Sequence, residues 1–576
     1  MKKAVDWFPI IGQFARYSYE KSLGDIIAAV VVTVMLIPQS LAYATLAGLP
    51  PHYGLYASIV PVVVYALLGS STTLAVGPVA IASIMTASTL SSVASVDSVS
   101  YANAAITLAF LAGGILVCLG LLRFGFIANF LSHSVVSGFI TASGITIALG
   151  QLRPLLGINA SGHTFAELCS EIPPALSSLN VVTSLIGVTS LVFLVAARMY
   201  AARLFQYLGA KEQLATSIAR MSPIFVLSIS TALVAIFALD QKGVAIVGNI
   251  PSGIANISWP VLDLALIKKL FFPAFLIAII GYVESISVGT TLGEKRDEKI
   301  DVNQELIAIG SSNIASGLAG AFPVTGGFSR SVVNFDAGAQ TQLAGIFTAI
   351  GIAIASLWLT PYLYNLPHAM LAAMIIVAVL PLVDFSIFEH AWRFSRSDFF
   401  AVLLTVLTTL FAGVEAGVAG GIAASILLQL YHTSKPHIAE IGLVPKTEHF
   451  RNIKHYKVEC LPDIVSLRID ESLLFSNARY LANYITDILS RDSNIRHIVL
   501  HCGGINTIDL TGMKMLQSLN KRLLLRGVQL HLSEVKTPVK NLLEKTDFIS
   551  ALGGQLFMTH LQAYRTLEAQ ATMDDN

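Results

Sequence analysis

Long apolar stretches alternate with short polar connections from about residue 24 to about residue 433, and the alternation then stops. Most of these stretches have the length of about 20 residues that an α-helix needs to cross the hydrocarbon core of a bilayer. The pattern therefore predicts a polytopic α-helical membrane protein. The stretches form two sets of seven: 24–46, 53–69, 78–90, 102–122, 130–150, 180–200 and 222–240, then 271–291, 303–320, 328–337, 341–359, 367–382, 398–413 and 416–433.

Two stretches, one after Pro78 and one after Phe328, are too short to span a bilayer. Each is the third of its set. Short segments interrupted by glycine or proline at corresponding places in two halves indicate repeats of opposite orientation, with a binding site between them. We therefore predict a seven-plus-seven inverted repeat of fourteen segments, in which two half-helices point their N-termini at each other near the membrane midplane.

The lysines and arginines of the connections give the predicted orientation, because basic residues concentrate on the cytoplasmic side. Arg123, Arg198 and Arg396 all fall on the side of the basic N-terminus when the chain is threaded through the fourteen segments. We expect a multi-pass protein of the cell membrane (the inner or plasma membrane), surrounded by lipid, with both termini in the cytoplasm.

A different pattern follows residue 435. Three short apolar strands are predicted at 464–469, 495–502 and 528–532, and they alternate with helices at 473–490, 509–526 and 539–546. Alternating strands and helices are typical of a small α/β domain. The predicted organisation is a cytoplasmic N-terminal segment (1–23), a transmembrane domain (24–434), a linker (435–455), a cytoplasmic α/β domain (456–570) and a tail (571–576).

Composition agrees with this division and narrows the chemistry. Hydrophobic residues make up 54% of the chain and charged residues 12%, against about 25% charged residues in an average soluble domain. The net charge of +1 gives no indication of nucleic-acid binding. The four cysteines are far apart and form no C-x-x-C pair, so neither a disulfide framework nor a structural metal site is predicted.

The stretch Pro323–Ser331 places an arginine, Arg330, among membrane-grade apolar segments. An arginine at the bilayer centre costs about 2.5–3.5 kcal/mol on insertion scales, so it is expected to face protein or a water-filled cavity. A helix that begins inside the membrane also offers free N–H groups and the positive end of its dipole. We interpret Phe328, Ser329 and Arg330 as one half of an anion site.

The second half of this predicted site comes from the first set. Pro78 suits the first position of a helix and would leave the N–H groups of Val79 and Ala80 free. In the first span, Pro38 is predicted to break the helix, and Gln39 and Tyr43 share a face because they are four residues apart. Their amide and phenol could hydrogen-bond an oxyanion, although helix–helix packing explains such residues as well.

Glu284 lies well inside an apolar span, and an ionisable residue there suggests function. Its expected partner is Arg330. If Glu284 accepts a proton, Arg330 is released to bind an anion, which gives a physical route to proton coupling. The alternative is a static buried ion pair.

Several motifs resemble those of the sulfate permease (SulP) family of anion transporters. The similar stretches are Ile37–Pro51 with His52–Tyr56, Val76–Ala80, Asp301–Leu306 and Thr325–Ser331. The sequence Asn506–Gly512 is similar to the corresponding loop of a STAS domain. The resemblance covers nearly the whole chain.

The resemblance implies an elevator-like movement of a core domain against a gate domain, and a homodimer held partly through the STAS domains. It also implies that the anion is contacted by Gln39, Tyr43, Ala80, Ser329 and Arg330. With the residues at the two half-helix starts, the candidate substrate-binding set is Gln39, Tyr43, Val79, Ala80, Phe328, Ser329 and Arg330.

The resemblance further bears on the driving ion and on regulation. Sodium-driven bicarbonate members place a hydroxyl residue one helical turn after their acidic residue, whereas Val288 stands at that spacing from Glu284 here. This departure disfavours Na⁺ and favours H⁺ as the ion that acts at Glu284. In the STAS loop, Thr511 takes the place of a phosphorylatable hydroxyl and becomes a possible regulatory phosphosite, which would involve a cytoplasmic partner protein.

The resulting hypothesis is uptake of sulfate or a similar small inorganic anion by proton-coupled secondary active transport. Sodium-coupled bicarbonate or dicarboxylate symport and anion exchange remain alternatives within transport. An anion sensor that signals through the STAS domain is an alternative of another class. An enzyme is not expected, because no nucleophile–base pair or metal-ligand set stands out, and no cofactor is expected.

Overall fold

The computed structural model describes residues 7–14, 17–93, 98–126, 133–159, 164–209, 219, 221–249, 251, 253, 257–260 and 263–574. Within them the chain divides into two compact units, Met1–Ser425 and Ile426–Asn576, which we describe separately. Residues 1–6 and 15–16 of the predicted N-terminal segment lie outside the described residues.

The first unit is helical, and each of the fourteen predicted apolar segments corresponds to one main helix. The first set comprises α1 to α7: Tyr19–Leu46, Val60–Leu68, Ala80–Val93, Ser98–Leu121, His133–Gly150, Val181–Ala196 and Ser222–Phe237. The second set comprises α8 to α14: Leu264–Glu294, Val302–Leu318, Phe328–Asp336, Leu343–Trp358, His368–Val379, Arg396–Ala412 and Val414–Ser434. The last of these helices continues past Ser425 into the second unit. Short helices lie in the connections: Pro9–Phe14, His52–Tyr56, Leu152–Leu156, Phe165–Ala175, Ala202–Tyr207 and Ser386–Phe394.

Five of the described helical stretches are long and apolar enough to cross a membrane by themselves. Three of them are α1, α4 and α8, and the other two are α5 and α6, each counted together with the short helices that continue it. The third helix of each set is short, as predicted, with 14 residues in α3 and 9 in α10. The predicted fold of fourteen segments with two half-helices is therefore confirmed.

A two-stranded ribbon connects the two half-helices. Strand β1 (Val76–Gly77) pairs antiparallel with strand β2 (Thr325–Gly326), and each strand directly precedes its half-helix. Gly77 has φ of +152°, which a residue with a side chain rarely adopts. The ribbon brings the starts of α3 and α10 together from points about 250 residues apart in the sequence.

Two large hydrophobic clusters organise the helices around this ribbon. One contains buried residues of α3, α4, α8 and α9 together with Val76 of β1. The other contains buried residues of α6, α7, α11 and α12. Helix α1 contributes to both, with Ala44 in the first cluster and Leu41 in the second.

Close helix packing in the first cluster depends on glycine. Helices α4 and α9 approach each other through Gly113 and Gly310, and a Cβ added at Gly113 would lie 2.6 Å from the Gly310 carbonyl oxygen. Small residues allow such backbone approach between membrane helices, where apolar side chains alone provide little driving force for association.

The second unit holds a six-stranded sheet in the order β4-β3-β5-β6-β7-β8. Its strands β3 to β8 are Ile438–Leu443, Phe450–Asn452, Ile464–Ile469, His497–His501, Gln529–Ser533 and Leu556–Phe557. Helices α15 to α18 are Ala478–Arg491, Leu510–Leu524, Thr537–Leu543 and His560–Asp574. Strands β5 to β8 pair in parallel, whereas β3 pairs antiparallel with β4 and β5.

Two predicted boundaries of this unit need correction. The stretch 435–455, predicted as a linker, contains β3 and β4, which hydrogen-bond into the sheet. The stretch from 571, predicted as a tail, begins inside α18, whereas 575–576 lie outside the described residues. The prediction missed β3 and β4 because they are short, with six and three residues, and form a hairpin at the edge of the sheet.

Candidate functional site

One cavity is lined by every residue that the sequence assigned to anion binding or ion coupling. It lies at the starts of α3 and α10, beside α1 and α8, and its empty volume is about 460 Å³ with the open solvent at its mouth included. The lining residues are Gln39, Tyr43, Pro78, Val79, Ala80, Ile81, Glu284, Gly327, Phe328, Ser329, Arg330 and Ala378.

Arg330, the third residue of α10, is the one lysine or arginine among these lining residues. It is only 3% exposed, and neither of its terminal nitrogens, Nη1 and Nη2, has a hydrogen-bond partner. Its guanidinium lies against β1: a Cβ at Gly77 would come within 2.6 Å of Nη1. The absence of a side chain at Gly77 thus makes room for a buried, unpaired positive charge.

Both half-helices begin at the cavity, where the first backbone N–H groups of a helix point. The Val79 carbonyl accepts from the Ser83 N–H at 3.0 Å, and the Gly327 carbonyl accepts from the Ser331 N–H at 3.0 Å. These bonds mark Val79 and Gly327 as the capping residues, and the first N–H groups of each helix have no partner within it. Helix α3 therefore begins at Ala80, two residues later than the Pro78 start predicted from the sequence.

Gln39 and Tyr43 line the same cavity from α1, one helical turn apart. The predicted break at Pro38 is wrong, because α1 runs without interruption from Tyr19 to Leu46. A proline inside a helix removes its own N–H bond and can kink the helix without ending it. The packing of α1 against both hydrophobic clusters supports the continuous helix.

Glu284 lines the cavity from α8. Its Oε2 is buried and has no hydrogen-bond partner, as for the two terminal nitrogens of Arg330. The ion pair expected between Glu284 and Arg330 is therefore not formed by these atoms, although both side chains line one cavity. Glu284 and Arg330 thus line one cavity, and each has at least one buried polar atom without a hydrogen-bond partner.

Hydrogen bonds with Ser285, which follows Glu284 in α8, hold the ribbon of β1 and β2 in place. Ser285 Oγ accepts from the Gly326 N–H at 2.8 Å and lies 2.7 Å from Thr325 Oγ1. Thr325 Oγ1 in turn donates to the Gly281 carbonyl at 2.5 Å. The helical turn that carries Glu284 is thus bonded directly to the strand that precedes α10.

A second anchor comes from α9. The Asn313 amide donates to the Val324 carbonyl at 2.8 Å and accepts from the Val324 N–H at 2.9 Å. This pair of bonds reproduces the pairing that a neighbouring strand would make. It fixes the irregular backbone before β2 at membrane depth, where unpaired backbone groups are costly.

The motif Asp301–Leu306 has a structural role and lies outside the cavity. Asp301 caps α9 by accepting from the N–H groups of Asn303 and Gln304. The buried Glu305 carboxylate accepts from the Tyr65 hydroxyl at 2.9 Å and from the Ser70 N–H at 2.6 Å. The motif therefore ties α9 to the end of α2 and to the connection that leads into β1.

Sequence analysis missed four lining residues: Pro78 as a cavity residue, Ile81, Gly327 and Ala378. The first three adjoin predicted site residues and follow once the half-helix starts are known. Ala378 lies on α12. An alanine in an apolar helix has no feature in the sequence that would mark it as a cavity residue.

Thr511 lies in the second unit, exposed at the second position of α16. The preceding Asp509 caps this helix by accepting from the Gly512 N–H at 2.7 Å, and its other oxygen accepts from the Phe475 N–H at 2.7 Å. A hydroxyl in the first turn of a helix is accessible to modification, and phosphorylation of Thr511 stays a prediction.

Comparisons with known families match both units. The model of the "Sulfate permease family" matches residues 23–405, and that of the "STAS domain" matches residues 455–563. "Sulfate transporter 1.3" of Arabidopsis thaliana is 33% identical over 96% of this chain and 86% of its own length. A "probable sulfate transporter" of Mycobacterium tuberculosis is 32% identical over 97% of this chain and 98% of its own length.

Solved structures show the same fold. Murine Slc26a9, described as an anion transporter in the inward-facing state, superposes with a TM-score of 0.88 at 25% identity, covering 98% of this chain and 94% of its own. The transmembrane domain of the cyanobacterial bicarbonate transporter BicA superposes with a TM-score of 0.58 at 20% identity, covering 71% of this chain and 98% of its own.

Proposed function

This chain belongs to the sulfate permease family and carries a C-terminal STAS domain, and on that basis we propose that it imports sulfate, or a similar oxyanion, together with protons. Membership of the family makes it a multi-pass anion transporter rather than an enzyme. The observation that carries the finer proposal is the shared cavity, in which Arg330, Glu284 and two half-helix starts meet.

The cavity combines the donors that an oxyanion requires. Arg330 supplies two unpartnered N–H-bearing nitrogens, and a guanidinium matches two oxygens of an oxyanion with parallel hydrogen bonds. The starts of α3 and α10 add backbone N–H groups and the positive ends of two helix dipoles. Gln39 and Tyr43 add neutral donors from α1.

The charges that face this space support the proposal of proton coupling. With Glu284 ionised, its negative charge opposes an incoming anion and offsets the charge of Arg330. A buried charge without a partner is costly, and a proton on Glu284 removes that charge. The proton and the anion therefore each favour binding of the other, and by linkage this coupling is reciprocal.

Alternating access by an elevator movement is supported by the way the cavity divides between helices. Gln39, Tyr43, Glu284 and the half-helix starts lie on α1, α3, α8 and α10, whereas Ala378 lies on α12. Helix α8 and the part of α3 after Ala80 pack in the first hydrophobic cluster, and α12 packs in the second, to which α1 and Ala80 also contribute. A rigid movement of the first group past α12 would carry the whole donor set from one side to the other.

Calorimetric titration of the purified protein with sulfate tests the anion site. Arg330→Ala should abolish measurable binding, and Arg393→Ala, at an exposed arginine paired with Glu389, is the matched control that should bind like the wild type. Sulfate affinity retained in Arg330→Ala would contradict the assignment of the site.

Uptake of labelled sulfate into proteoliposomes tests the coupling. An inward proton gradient should drive uptake by the wild type, a sodium gradient should not, and Glu284→Gln should lose the dependence on pH. Glu294→Gln, at an exposed position of the same helix, is the control. Uptake by Glu284→Gln that stays as pH-dependent as that of the wild type would rule out Glu284 as the proton site.

A further inference from the structure

A second cavity lies on the other side of Arg330 and is not used by the proposed transport step. It is formed by α1, α2, α10, α11 and the connection before α3, and Arg330 is the residue that it shares with the candidate anion site. The free space has room for a single water molecule. Its polar lining residues are Tyr65, Thr72, Arg330, Asn334, Thr341, Gln342 and Thr348.

Each hydroxyl group that lines this second cavity already donates its proton in a hydrogen bond to another group. Tyr65 donates to Glu305 Oε2 at 2.9 Å, Thr72 to Glu298 Oε1 at 2.8 Å, Thr341 to Asp25 Oδ2 at 2.5 Å and Thr348 to the Ala344 carbonyl at 2.8 Å. A hydroxyl has a single proton, so these groups can offer only lone pairs to the cavity.

Gln342 adds an unsatisfied acceptor. Its Nε2 donates to the backbone carbonyls of Gly69 and Ser71. With the amide nitrogen held in this way, Oε1 is buried and has no partner, and the residue is only 4% exposed. Buried amide oxygens almost always have a hydrogen-bond partner, so this oxygen indicates a donor missing from the protein itself.

We propose that one water molecule occupies the second cavity and bridges Gln342 Oε1 to the guanidinium of Arg330. Water can accept from an Arg330 N–H and donate to Gln342 Oε1 at the same time. An unprotonated inorganic anion has no proton for Gln342 Oε1, and a metal cation is repelled by the neighbouring guanidinium. Water is therefore the ligand that satisfies both groups.

This water makes Gln342 a positioning residue for anion binding, and this role rests on the proposed function. Arg330 has two unpartnered nitrogens, and a water behind it would satisfy one of them without neutralising the charge. The guanidinium is then held in one orientation toward the anion while the anion site is empty. Preorganisation of this kind raises affinity because less ordering is needed on binding.

Substitution of Gly345 would displace the water without changing Gln342 or Arg330. It lines the second cavity, and an added Cβ would lie 3.6 Å from Val62 Cγ1 and 3.7 Å from Ala66 Cβ, which are ordinary contacts. Gly345→Ala and Gly345→Val fill the space in steps. The matched controls are Gly114→Ala and Gly114→Val, in α4, where an added Cβ meets nothing within 4 Å.

Radiolytic hydroxyl labelling of the full-length protein with mass spectrometry tests the water directly, because bound water yields radicals beside buried side chains. Tyr65 and Leu36 are only 3% and 1% exposed and should nevertheless be oxidised in the wild type. Labelling should fall in Gly345→Val and stay at the wild-type level in Gly114→Val. Absent labelling in the wild type, or equal labelling in both variants, would overturn the proposal.

Sulfate uptake tests the positioning role. Gly345→Val should raise the sulfate concentration for half-maximal uptake by about 3- to 10-fold, with maximal rate and thermal midpoint close to those of Gly114→Val. An unchanged half-maximal concentration would overturn the role of the water. If the wild type carries no sulfate, the proposed function fails, whereas the labelling result still decides whether the water is present.

Discussion

Val76 lies directly opposite Gly326 in a two-residue antiparallel ribbon, and this pair joins the two halves of the membrane unit at the start of both half-helices. The neighbouring pair, Gly77 and Thr325, completes the ribbon. Because α3 and α10 follow their strands within two or three residues, a shift of the ribbon moves both sets of helix N–H groups. The geometry of the candidate anion site therefore depends on residues that do not touch the anion.

The first prediction concerns Gly326. A Cβ at this position would lie 2.7 Å from Leu74 Cδ1 and 2.9 Å from Ser285 Oγ, so Gly326→Ala must displace the ribbon or its neighbours. Overpacking of this kind typically costs about 1–3 kcal/mol. We expect a lower thermal midpoint in detergent and a sulfate affinity reduced by about tenfold or more, measured by differential scanning fluorimetry and calorimetry.

The control for this substitution is Gly289→Ala in α8, where the nearest atoms to an added Cβ lie 4.0 Å away, on Ser71. It makes the same chemical change without a clash and should keep both the thermal midpoint and the affinity. Equal behaviour of the two variants would show that the ribbon does not set the geometry of the site.

The second prediction concerns Ser285, which accepts from the buried Gly326 N–H. Ser285→Ala leaves that N–H without its partner, and an unsatisfied buried donor costs about 1–3 kcal/mol. We expect weaker sulfate binding, with Glu284 still present to respond to pH. Uptake measured at two pH values separates weaker sulfate binding from a loss of pH dependence. Ser287→Ala, at an exposed position on the same helix, should change neither the sulfate affinity nor the pH dependence.

The third prediction concerns Glu305, whose carboxylate accepts from Tyr65 and from the N–H groups of Ser70 and Ser71. Glu305→Gln replaces an acceptor oxygen by a donor among groups that donate, and hydrogen bonds to a charged group contribute about 1.5–3 kcal/mol each. The variant should unfold at a clearly lower temperature in detergent. The exposed Glu294→Gln should not, and a wild-type midpoint for Glu305→Gln would refute this structural role.

Much of the membrane unit could be predicted because its signals are local. Apolar length identifies the helices, and Arg330 and Glu284 are conspicuous in apolar surroundings. Glycine and proline mark the two half-helix starts to within two residues. These features reflect the cost of placing polar groups in lipid, which acts on each segment separately.

What could not be predicted depends on contacts between distant segments. Sequence alone suggested that Glu284 and Arg330 pair, but the folded chain leaves Glu284 Oε2 and both terminal nitrogens of Arg330 without partners. The lining role of Ala378 and the second cavity behind Arg330 depend on how α11 and α12 pack. No local pattern of an alanine or a glutamine encodes that packing.

The last prediction concerns the acid stability of the second unit, which has its own hydrophobic core. Burial and the neighbouring His497 lower the pKa of His531 to about 4, and burial and the neighbouring His501 lower the pKa of His560 to about 3. Both histidines are therefore neutral in the folded domain at pH values where the unfolded chain, with an ordinary pKa near 6.5, is protonated. Their contribution to stability is full above pH 6.5 and is lost as the pH falls toward 4, with about two protons taken up on unfolding.

Urea denaturation of a fragment covering 435–576 should show that the free energy of unfolding declines over this pH range. The decline should be smaller in the variant with both His531→Gln and His560→Gln. The exposed His455→Gln should decline like the wild type, and a wild-type decline in the double variant would show that other groups cause it.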